Sequence, residues 1–278
     1  MSLTPLFSII VPFYNVRAYM DRCIRSLIKQ TYSQLELIFI DDGSTDGTGE
    51  RLDYWAQSDS RIQIFHRENH GVSETRNFGL QQVTGEYLTF VDGDDWVERQ
   101  FIEFMVKAFQ DSHAAMVVCG YYLDPRGRSA ALQAESGILT RKEMLSRVLK
   151  LTGSVRGYTW NKGYLTSVIQ QHRLEFTSDI DLMEDQLFNV QYINLTRNFY
   201  FDTQPLYHYV QRADSLVHAF DLQKVPDTVV ANYRILQELN HTNAAEQSVK
   251  KHGRQQKKQL KYRKSNLKRA KDLKSLSK

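Results

Sequence analysis

Short apolar runs alternate with amphipathic runs along the first hundred residues of the chain. The apolar runs at 7–11, 35–40, 62–65 and 87–91 have the length and composition of buried strands, and a polar turn follows each one. Between the first two, apolar residues recur with helical spacing over 20–28. A repeat of strand and helix at this spacing predicts an α/β fold with a mostly parallel central sheet flanked by helices.

The second half of the chain has a less regular pattern. Residues 115–122 and 198–210 predict two further strands. Pro205 lies inside the second of these, and because proline cannot donate to a ladder, this strand is predicted to lie at a sheet edge. Three helices are predicted here: 142–151, 182–195 and 222–239.

Charge is distributed unevenly along the 278 residues, whose net charge is +4. Residues 250–278 contain 13 Lys and Arg against one acid, whereas the rest of the chain has 23 against 31. A mildly acidic body therefore carries a strongly basic tail. No apolar run approaches the length of a membrane span and no signal-peptide pattern opens the chain, so we expect a cytoplasmic protein. Cys23 and Cys119 lie in apolar or amphipathic runs and are predicted to be buried thiols.

Polar motifs follow the predicted strands at their carboxyl ends, which is where ligands bind in open α/β sheets. They are Pro12–Asn15, Asp41–Thr48, Asn69–Gly71 and Asp92–Asp95. The last motif contains three carboxylates, which repel one another unless a cation or hydroxyl groups lie beside them. A divalent metal carrying a diphosphate fits such oxygen ligands. The alternative is a solvated acidic turn that caps a helix beginning at Trp96.

Six motifs occur in a fixed order over roughly residues 6–215: Val11–Asn15, Asp41–Asp46, Asn69–Ser73 with Arg76 and Asn77, Asp92–Asp95, Trp160–Lys162 and Glu184-Asp185. In order and spacing they resemble the motifs of family 2 glycosyltransferases, including bacterial enzymes of capsule, exopolysaccharide or wall-polymer synthesis. The resemblance implies the GT-A fold, a nucleotide-sugar donor and inversion at the anomeric carbon. It divides the chain into a donor-binding half, an acceptor-binding half and a helical C-terminal extension with a basic tail: 1–110, 111–220 and 221–278.

The resemblance also implies how the donor is bound. Tyr14 would stack on the base, and Asp42 would accept a hydrogen bond from the uracil N–H of a UDP-sugar. Pro12 would line the same site, and Asn69 and Arg76 would bind the nucleotide or its phosphates at a helix start, where anions are favoured. The implied sugar is a hexose or an N-acetylhexosamine.

A metal site and a general base are implied in the same way. Asp94 would bind Mn²⁺ or Mg²⁺, and His208 would reach the metal or the diphosphate. Asp92 and Asp95 would hold hydroxyl groups of the ribose or the donor sugar, although the resemblance leaves open how the three aspartates share these roles. Asp185 would take the proton of the acceptor hydroxyl.

Two further assignments have structural alternatives. Glu184 would support the base or contact the donor, but acidic residues are also common in a first helical turn. Trp160, Asn161 and Lys162 would line the acceptor side, but a buried structural Trp is the alternative. The implied acceptor is a glycan or a lipid-linked glycan.

Three other classes of protein are alternatives to a glycosyltransferase: a nonenzymatic binding protein, a nucleotidyltransferase and a dehydrogenase. A nonenzymatic nucleotide-binding or membrane-adaptor protein could keep the same fold, although the intact carboxylates disfavour it. A nucleotidyltransferase should have a glycine-rich, lysine-bearing phosphate loop, and a dehydrogenase should have Gly-x-Gly-x-x-Gly after its first strand; neither follows residues 7–11.

The basic segment 250–278 predicts contact with an anionic membrane surface, at about 1 kcal/mol per Lys or Arg near the surface. A solvated terminus and nonspecific nucleic-acid binding are the alternatives, the last being the least favoured. The full chain should pellet with anionic liposomes, and a chain truncated at Lys250 should not. Equal pelleting of the two forms would exclude this segment as the anchor.

Overall fold

Each apolar run in the first half of the chain forms a strand, and a helix follows each of the first three. The computed structural model describes residues 4–211, except 126, 132, 151 and 181, together with residues 227–240. The elements of the first half are β1 (Phe7–Phe13), α1 (Met20–Ile28), β2 (Leu35–Asp42), α2 (Thr48–Ala56), β3 (Ile62–Arg67), α3 (Val72–Gln82) and β4 (Tyr87–Phe90).

The second half contains shorter strands and more loop. Its elements are β5 (Trp96–Val97), α4 (Phe101–Ser112), β6 (Met116–Asp124), β7 (Arg128–Ser129), β8 (Ser136–Leu139), α5 (Arg141–Val148), β9 (Lys162–Leu165), α6 (Thr166–His172), α7 (Glu184–Leu195) and β10 (Phe199–Val210). A further helix, α8, covers 227–240, which agrees with the helical pattern predicted there. The basic segment 250–278 lies outside the described residues.

The strands form one sheet with the order β3-β2-β1-β4-β9-β6-β10-β5, with β7 paired to β6 and β8 paired to β10. Pairing is parallel from β3 through β4, and β9 runs antiparallel to both β4 and β6. This confirms the predicted α/β fold with a central sheet flanked by helices. The described residues up to Arg234 form one compact unit. The functional division at residues 110 and 220 stays a prediction.

The prediction that β10 is an edge strand is wrong. β10 pairs with β6 on one side and with β8 and β5 on the other. Pro205 lies between the stretch paired with β8, which ends at Asp202, and the stretch paired with β5, which begins at Tyr207. The missing N–H of Pro205 therefore faces neither of these partners, and the register with β6 shifts on both sides of it.

The turn after β4 leads into a strand rather than a helix. Trp96 pairs with His208 of β10, and the next helix begins at Phe101. The alternative interpretation, in which the acidic turn caps a helix at Trp96, is therefore wrong. The turn instead joins two strands of the same sheet.

Apolar side chains from both halves of the sheet form the core. Every residue of β2 is buried, as are all residues of β1 except the half-buried Pro12. Cys23 and Cys119 are buried free thiols, as predicted. Among the described residues, none of the helices is both long enough and apolar enough to cross a membrane.

A buried carboxylate, Glu36, joins β1, β2 and the turn before β4 at the amino-terminal edge of the sheet. It accepts hydrogen bonds from the Ser8 hydroxyl, from the backbone N–H and hydroxyl of Thr84, and from the backbone N–H of Gly85. Burial raises the pKa of Glu36, but these hydrogen bonds outweigh burial, and the pKa lies below its ordinary value of 4.5. Ionised Glu36 therefore stabilises the fold.

We expect Glu36→Gln to lower the free energy of unfolding at pH 7 by about 2–3 kcal/mol, because an amide N–H₂ would face groups that donate. A depressed pKa in the folded state gives stability that is present above pH 4.5 and is lost as the pH falls through the folded-state pKa. The difference between the wild type and the variant should therefore shrink below pH 4.5 in urea unfolding. Glu50→Gln, at an exposed position on α2, is the control. A difference that stays constant down to pH 3 would contradict this role.

Candidate active site

Two loops at the carboxyl edge of the sheet hold Tyr14 in place. The backbone N–H of Asn15 donates to Ser44 Oγ at 3.0 Å, and the N–H of Thr45 donates to Asn15 Oδ1 at 2.9 Å. Asn15 itself has a φ of 50°, in the left-handed region. The ring of Tyr14 is 51% exposed beside these cross-linked loops. A flat aromatic face is thus accessible where β1 ends.

Asp42 holds the loop that precedes α3. Its Oδ1 accepts from the N–H of His70 at 3.0 Å and its Oδ2 from the N–H of Gly71 at 2.9 Å. Asp42 is only 4% exposed, and its described hydrogen-bond partners are backbone groups. The predicted contact of Asp42 with uracil stays a prediction. Asn69 is exposed in the same loop, and a Cβ on Gly43 would lie 2.8 Å from the Asn69 nitrogen, so the two loops approach closely.

The acidic turn packs directly against the end of β1. A Cβ on Gly93 would lie 2.6 Å from Phe13 Cδ1 and 2.9 Å from the carbonyl oxygen of Pro12. Only glycine allows this approach without a shift of the neighbouring atoms. The turn therefore places Asp92 and Asp94 next to the strand end that carries Tyr14.

The guanidinium of Arg76 joins three carboxylates that are far apart in the sequence. Its Nη2 donates to Asp92 Oδ1 at 3.0 Å, and its Nη1 donates to Asp185 Oδ1 at 2.8 Å and to Glu184 Oε1 at 3.2 Å. Arg76 is 4% exposed, and its Nε has no hydrogen-bond partner among the described groups. One buried cation thus holds the acidic turn and the start of α7 together. We call these four residues the Arg76 cluster.

The Arg76 cluster has more negative than positive charge. Burial raises the pKa of Asp92 to about 6, although Arg76 opposes this shift. The neighbouring carboxylates of Asp94 and Asp185 also raise it. Burial and Asp185 raise the pKa of Glu184 to about 7 in the same way. A cation that binds beside these carboxylates would relieve the excess charge.

Asp95 and Tyr207 connect the acidic turn to β10. The Tyr207 hydroxyl donates to Asp95 Oδ2 at 2.6 Å and accepts from the backbone N–H of Asp92 at 3.1 Å. The other oxygen of Asp95 accepts from the N–H of Val210 at 2.7 Å. Asp95 is 1% exposed, and burial raises its pKa well above the ordinary value. Its predicted contact with the ribose or sugar stays a prediction. No role was predicted for Tyr207, although it directly precedes His208 in a stretch that resembles the late segment of family 2 glycosyltransferases.

A loop before β9 fixes the second oxygen of Asp185. The backbone N–H of Thr159 donates to Asp185 Oδ2 at 3.2 Å. The Asn189 side chain donates to the carbonyl of Gly157 at 2.7 Å and to the Asp185 carbonyl at 2.9 Å, so it ties this loop to α7. Both oxygens of Asp185 therefore have a donor, and its carboxylate has a fixed orientation.

Trp160, Asn161 and Lys162 are buried, with exposures of 2%, 0% and 0%. Asn161 Nδ2 donates to the Cys119 carbonyl at 2.9 Å, and Lys162 Nζ donates to the Arg156 carbonyl at 2.7 Å and to Asn161 Oδ1 at 2.8 Å. Burial lowers the pKa of Lys162 to about 7. These contacts hold the loop in place, and the predicted contact of the three residues with an acceptor stays a prediction.

His208 lies among other aromatic rings. Its ring stacks on Trp96 and on Tyr122, with centroids 3.3 and 4.7 Å away, and its Nε2 is 2.9 Å from Glu98 Oε1. The described contacts of His208 do not include Asp94, and its metal ligation stays a prediction. Within the described residues, no group of three or more His, Cys, Asp or Glu is arranged to hold a metal ion.

Comparison with known proteins identifies the family. The family model "Glycosyl transferase family 2" matches residues 8–171. The chain is 31% identical over 246 residues to the putative glycosyltransferase EpsH of Bacillus subtilis. This alignment covers 87% of this chain and 69% of EpsH. The chain therefore belongs to glycosyltransferase family 2, and the predicted membership is confirmed.

Solved structures share the fold. Residues 1–349 of S. aureus TarS in complex with UDP superpose with a TM-score of 0.68 at 20% identity, covering 84% of this chain and 65% of that one. The same fragment in complex with UDP-GlcNAc superposes with a TM-score of 0.66 at 22% identity, covering 78% of this chain and 62% of the TarS chain. The mannosyltransferase PcManGT from Pyrobaculum calidifontis, in complex with GDP-Man and Mn²⁺, superposes with a TM-score of 0.57 at 17% identity. This superposition covers 77% of this chain and 59% of the PcManGT chain. In each of these three superpositions, this chain spans less than two thirds of the solved chain.

We expect Arg76→Gln to lower the free energy of unfolding at pH 7 by about 3–5 kcal/mol, because it leaves buried carboxylates without their cation. Arg67→Gln is the matched control, since the described hydrogen bond of the Arg67 side chain goes to the backbone carbonyl of Glu74. That variant should lose about 1 kcal/mol in the same urea titration. Equal losses in the two variants would show that Arg76 does not hold the cluster.

Proposed function

We propose that the protein is an inverting glycosyltransferase that moves a sugar from a UDP-sugar to a hydroxyl of a glycan or lipid-linked glycan. The observation that carries the proposal is the Arg76 cluster, which brings the Asp185 carboxylate to the acidic turn, next to the strand end that carries the exposed Tyr14. A base and a site for a leaving diphosphate thus lie at one edge of the sheet. The UDP and UDP-GlcNAc complexes of TarS support a uridine donor, and the second complex supports an N-acetylhexosamine as the sugar, with a hexose as the alternative.

Donor binding would use the cross-linked loops. The base would stack on Tyr14 with Pro12 beneath it, and Asp42 would use a lone pair left free by its two backbone donors. Asn69 in the adjoining loop would contact the nucleotide. Because these loops are already joined by hydrogen bonds, little order would have to be gained on binding.

The described side chains do not form a metal site of three or more ligands by themselves, but two carboxylates of the acidic turn together with a diphosphate would fit a divalent cation. The donor set at the acidic turn consists of carboxylate oxygens, which Mg²⁺ and Mn²⁺ prefer, and the cluster has excess negative charge. Asp94 would hold the cation, with Asp92 beside it, and the diphosphate would complete its ligands. When bound, the cation supplies Lewis-acid stabilisation of the leaving diphosphate. The Mn²⁺ complex of PcManGT supports this choice. His208 would contribute only through a nitrogen that turned away from its carboxylate neighbour, since Nε2 lies 2.9 Å from Glu98 Oε1 and Nδ1 lies 3.5 Å from Asp124 Oδ2.

Asp185 would act as the general base. Arg76 and the Thr159 N–H fix its carboxylate, and each oxygen retains a lone pair for a proton. As the acceptor oxygen attacks the anomeric carbon, Asp185 takes its proton and the bond to the diphosphate breaks on the opposite face, so the configuration inverts. Glu184 shares Arg76 with Asp185 and would keep that guanidinium in position.

Titration with nucleotides tests donor recognition. We expect UDP to raise the melting temperature of the protein more than GDP, ADP or CDP, and more with Mn²⁺ than without it, because binding to the folded state alone stabilises it. No stabilisation by any uridine nucleotide would contradict the donor assignment.

Replacement of the base tests catalysis separately from binding. Asp185→Asn should lower kcat of sugar transfer about 100-fold or more while the Kd for UDP stays within about threefold. Asp111→Asn, an equivalent change at an exposed position of α4, is the control and should retain activity. Full transfer by Asp185→Asn would exclude Asp185 as the base. UDP binding without transfer by the wild type to any glycan would favour the nonenzymatic nucleotide-binding alternative.

A further inference from the structure

An aromatic group of three mutually close rings, Tyr158, Trp160 and Tyr209, joins the loop before β9 to the end of β10. Tyr158 stacks on Trp160 with centroids 4.6 Å apart and planes at 17°, and Trp160 is nearly parallel to Tyr209 at 5.6 Å and 9°. Trp160 is buried at 2% exposure, whereas Tyr158 and Tyr209 are partly exposed. The buried Trp160 therefore supports two tyrosines that reach the surface.

Arg156 lies over one ring of this aromatic group, that of Tyr158. Its guanidinium carbon is 4.7 Å from the centroid of the Tyr158 ring. Arg156 is partly exposed, and no described Asp or Glu lies within ion-pair distance of it. The Arg76 guanidinium, by comparison, bonds three carboxylates. Arg156 is thus a cation whose charge none of the described carboxylates pairs with.

The aromatic group belongs in part to the loop that contacts the proposed base. Tyr158 precedes Thr159, whose backbone N–H donates to Asp185 Oδ2 at 3.2 Å. Burial raises the pKa of Tyr158 to about 12 against the opposing effect of Arg156. A molecule whose hydroxyl reaches Asp185 would therefore lie near the loop that carries Tyr158.

Aromatic rings provide apolar contact area for the C–H groups of a sugar, and a guanidinium matches the oxygens of a phosphate or carboxylate. We propose that Tyr158, Tyr209 and Arg156 form the acceptor subsite, in which a sugar ring contacts the two tyrosines and an anionic group of the acceptor pairs with Arg156. This rests on the proposed function, because it places the acceptor beside Asp185. In this proposal the acceptor contacts the partly exposed Tyr158, Tyr209 and Arg156. The buried Trp160, Asn161 and Lys162 support them.

Binding of three small probes to the full chain with UDP and Mg²⁺ tests the subsite. The probes are methyl glucoside, glucose 6-phosphate and methyl glucuronide, and saturation-transfer NMR gives their Kd. We expect the two anionic probes to bind about fivefold or more tightly than methyl glucoside, because each can pair with Arg156. Comparing the phosphate with the carboxylate shows which anion the subsite prefers.

Two variants separate charge from ring contact. Arg156→Gln should abolish the preference for the anionic probes, and Tyr158→Leu should weaken all three by about fivefold, while Tyr158→Phe should bind nearly as the wild type does. Tyr54→Leu is the matched control, because Arg51 lies 4.6 Å over the Tyr54 ring on α2, in the same arrangement as Arg156 over Tyr158. The Kd for UDP, measured in every variant, shows that the fold is intact.

The outcomes separate this inference from the proposed function. An unchanged preference in Arg156→Gln, unchanged binding in Tyr158→Leu, or no binding of any probe to a protein that binds UDP would overturn the subsite and leave the donor assignment standing. Failure of UDP itself to bind would instead overturn the proposed function.

Discussion

The guanidinium of Arg76 is the interaction on which the candidate site depends. It is buried at 4% exposure and bonds Asp92, Glu184 and Asp185 over 2.8–3.2 Å. Without it, three carboxylates would have to lie together in a poorly solvated place, where burial of an unpaired charge costs several kcal/mol. Because Arg76 belongs to α3, the position of that helix fixes where α7 begins, and therefore where the proposed base lies relative to the acidic turn.

The elements around the Arg76 cluster are held by contacts of a similar kind. Asp42 holds the loop before α3, Asp95 with Tyr207 holds the acidic turn against β10, and Lys162 holds the loop that reaches Asp185. Several residues whose types suggest substrate contact thus bind the backbone of a neighbouring loop. This is expected, because most buried polar groups form hydrogen bonds within the protein, whereas partly exposed groups such as Tyr14 and Arg156 keep surface for a ligand.

The sequence was sufficient to predict features that depend on local pattern. The strands of the first half, the turns at their carboxyl ends and the helix starting near Glu184 follow from apolar periodicity and turn residues. Features set by long-range pairing could not be predicted in this way. The partners of Arg76 lie 108 and 109 positions away at Glu184 and Asp185, and the interior position of β10 depends on β8 and β5, which are too short to recognise. The burial of Trp160 likewise follows only from the packing of β10 against the loop before β9.

The most direct test is a crystal structure of the protein with UDP and Mn²⁺, with anomalous diffraction locating the metal. We expect an anomalous peak beside Asp94, the uracil ring against Tyr14, and Arg76 still bonded to Asp185. A peak away from the acidic turn, or a nucleotide that leaves Tyr14 uncovered while Arg76 has left Asp185, would contradict the proposed site.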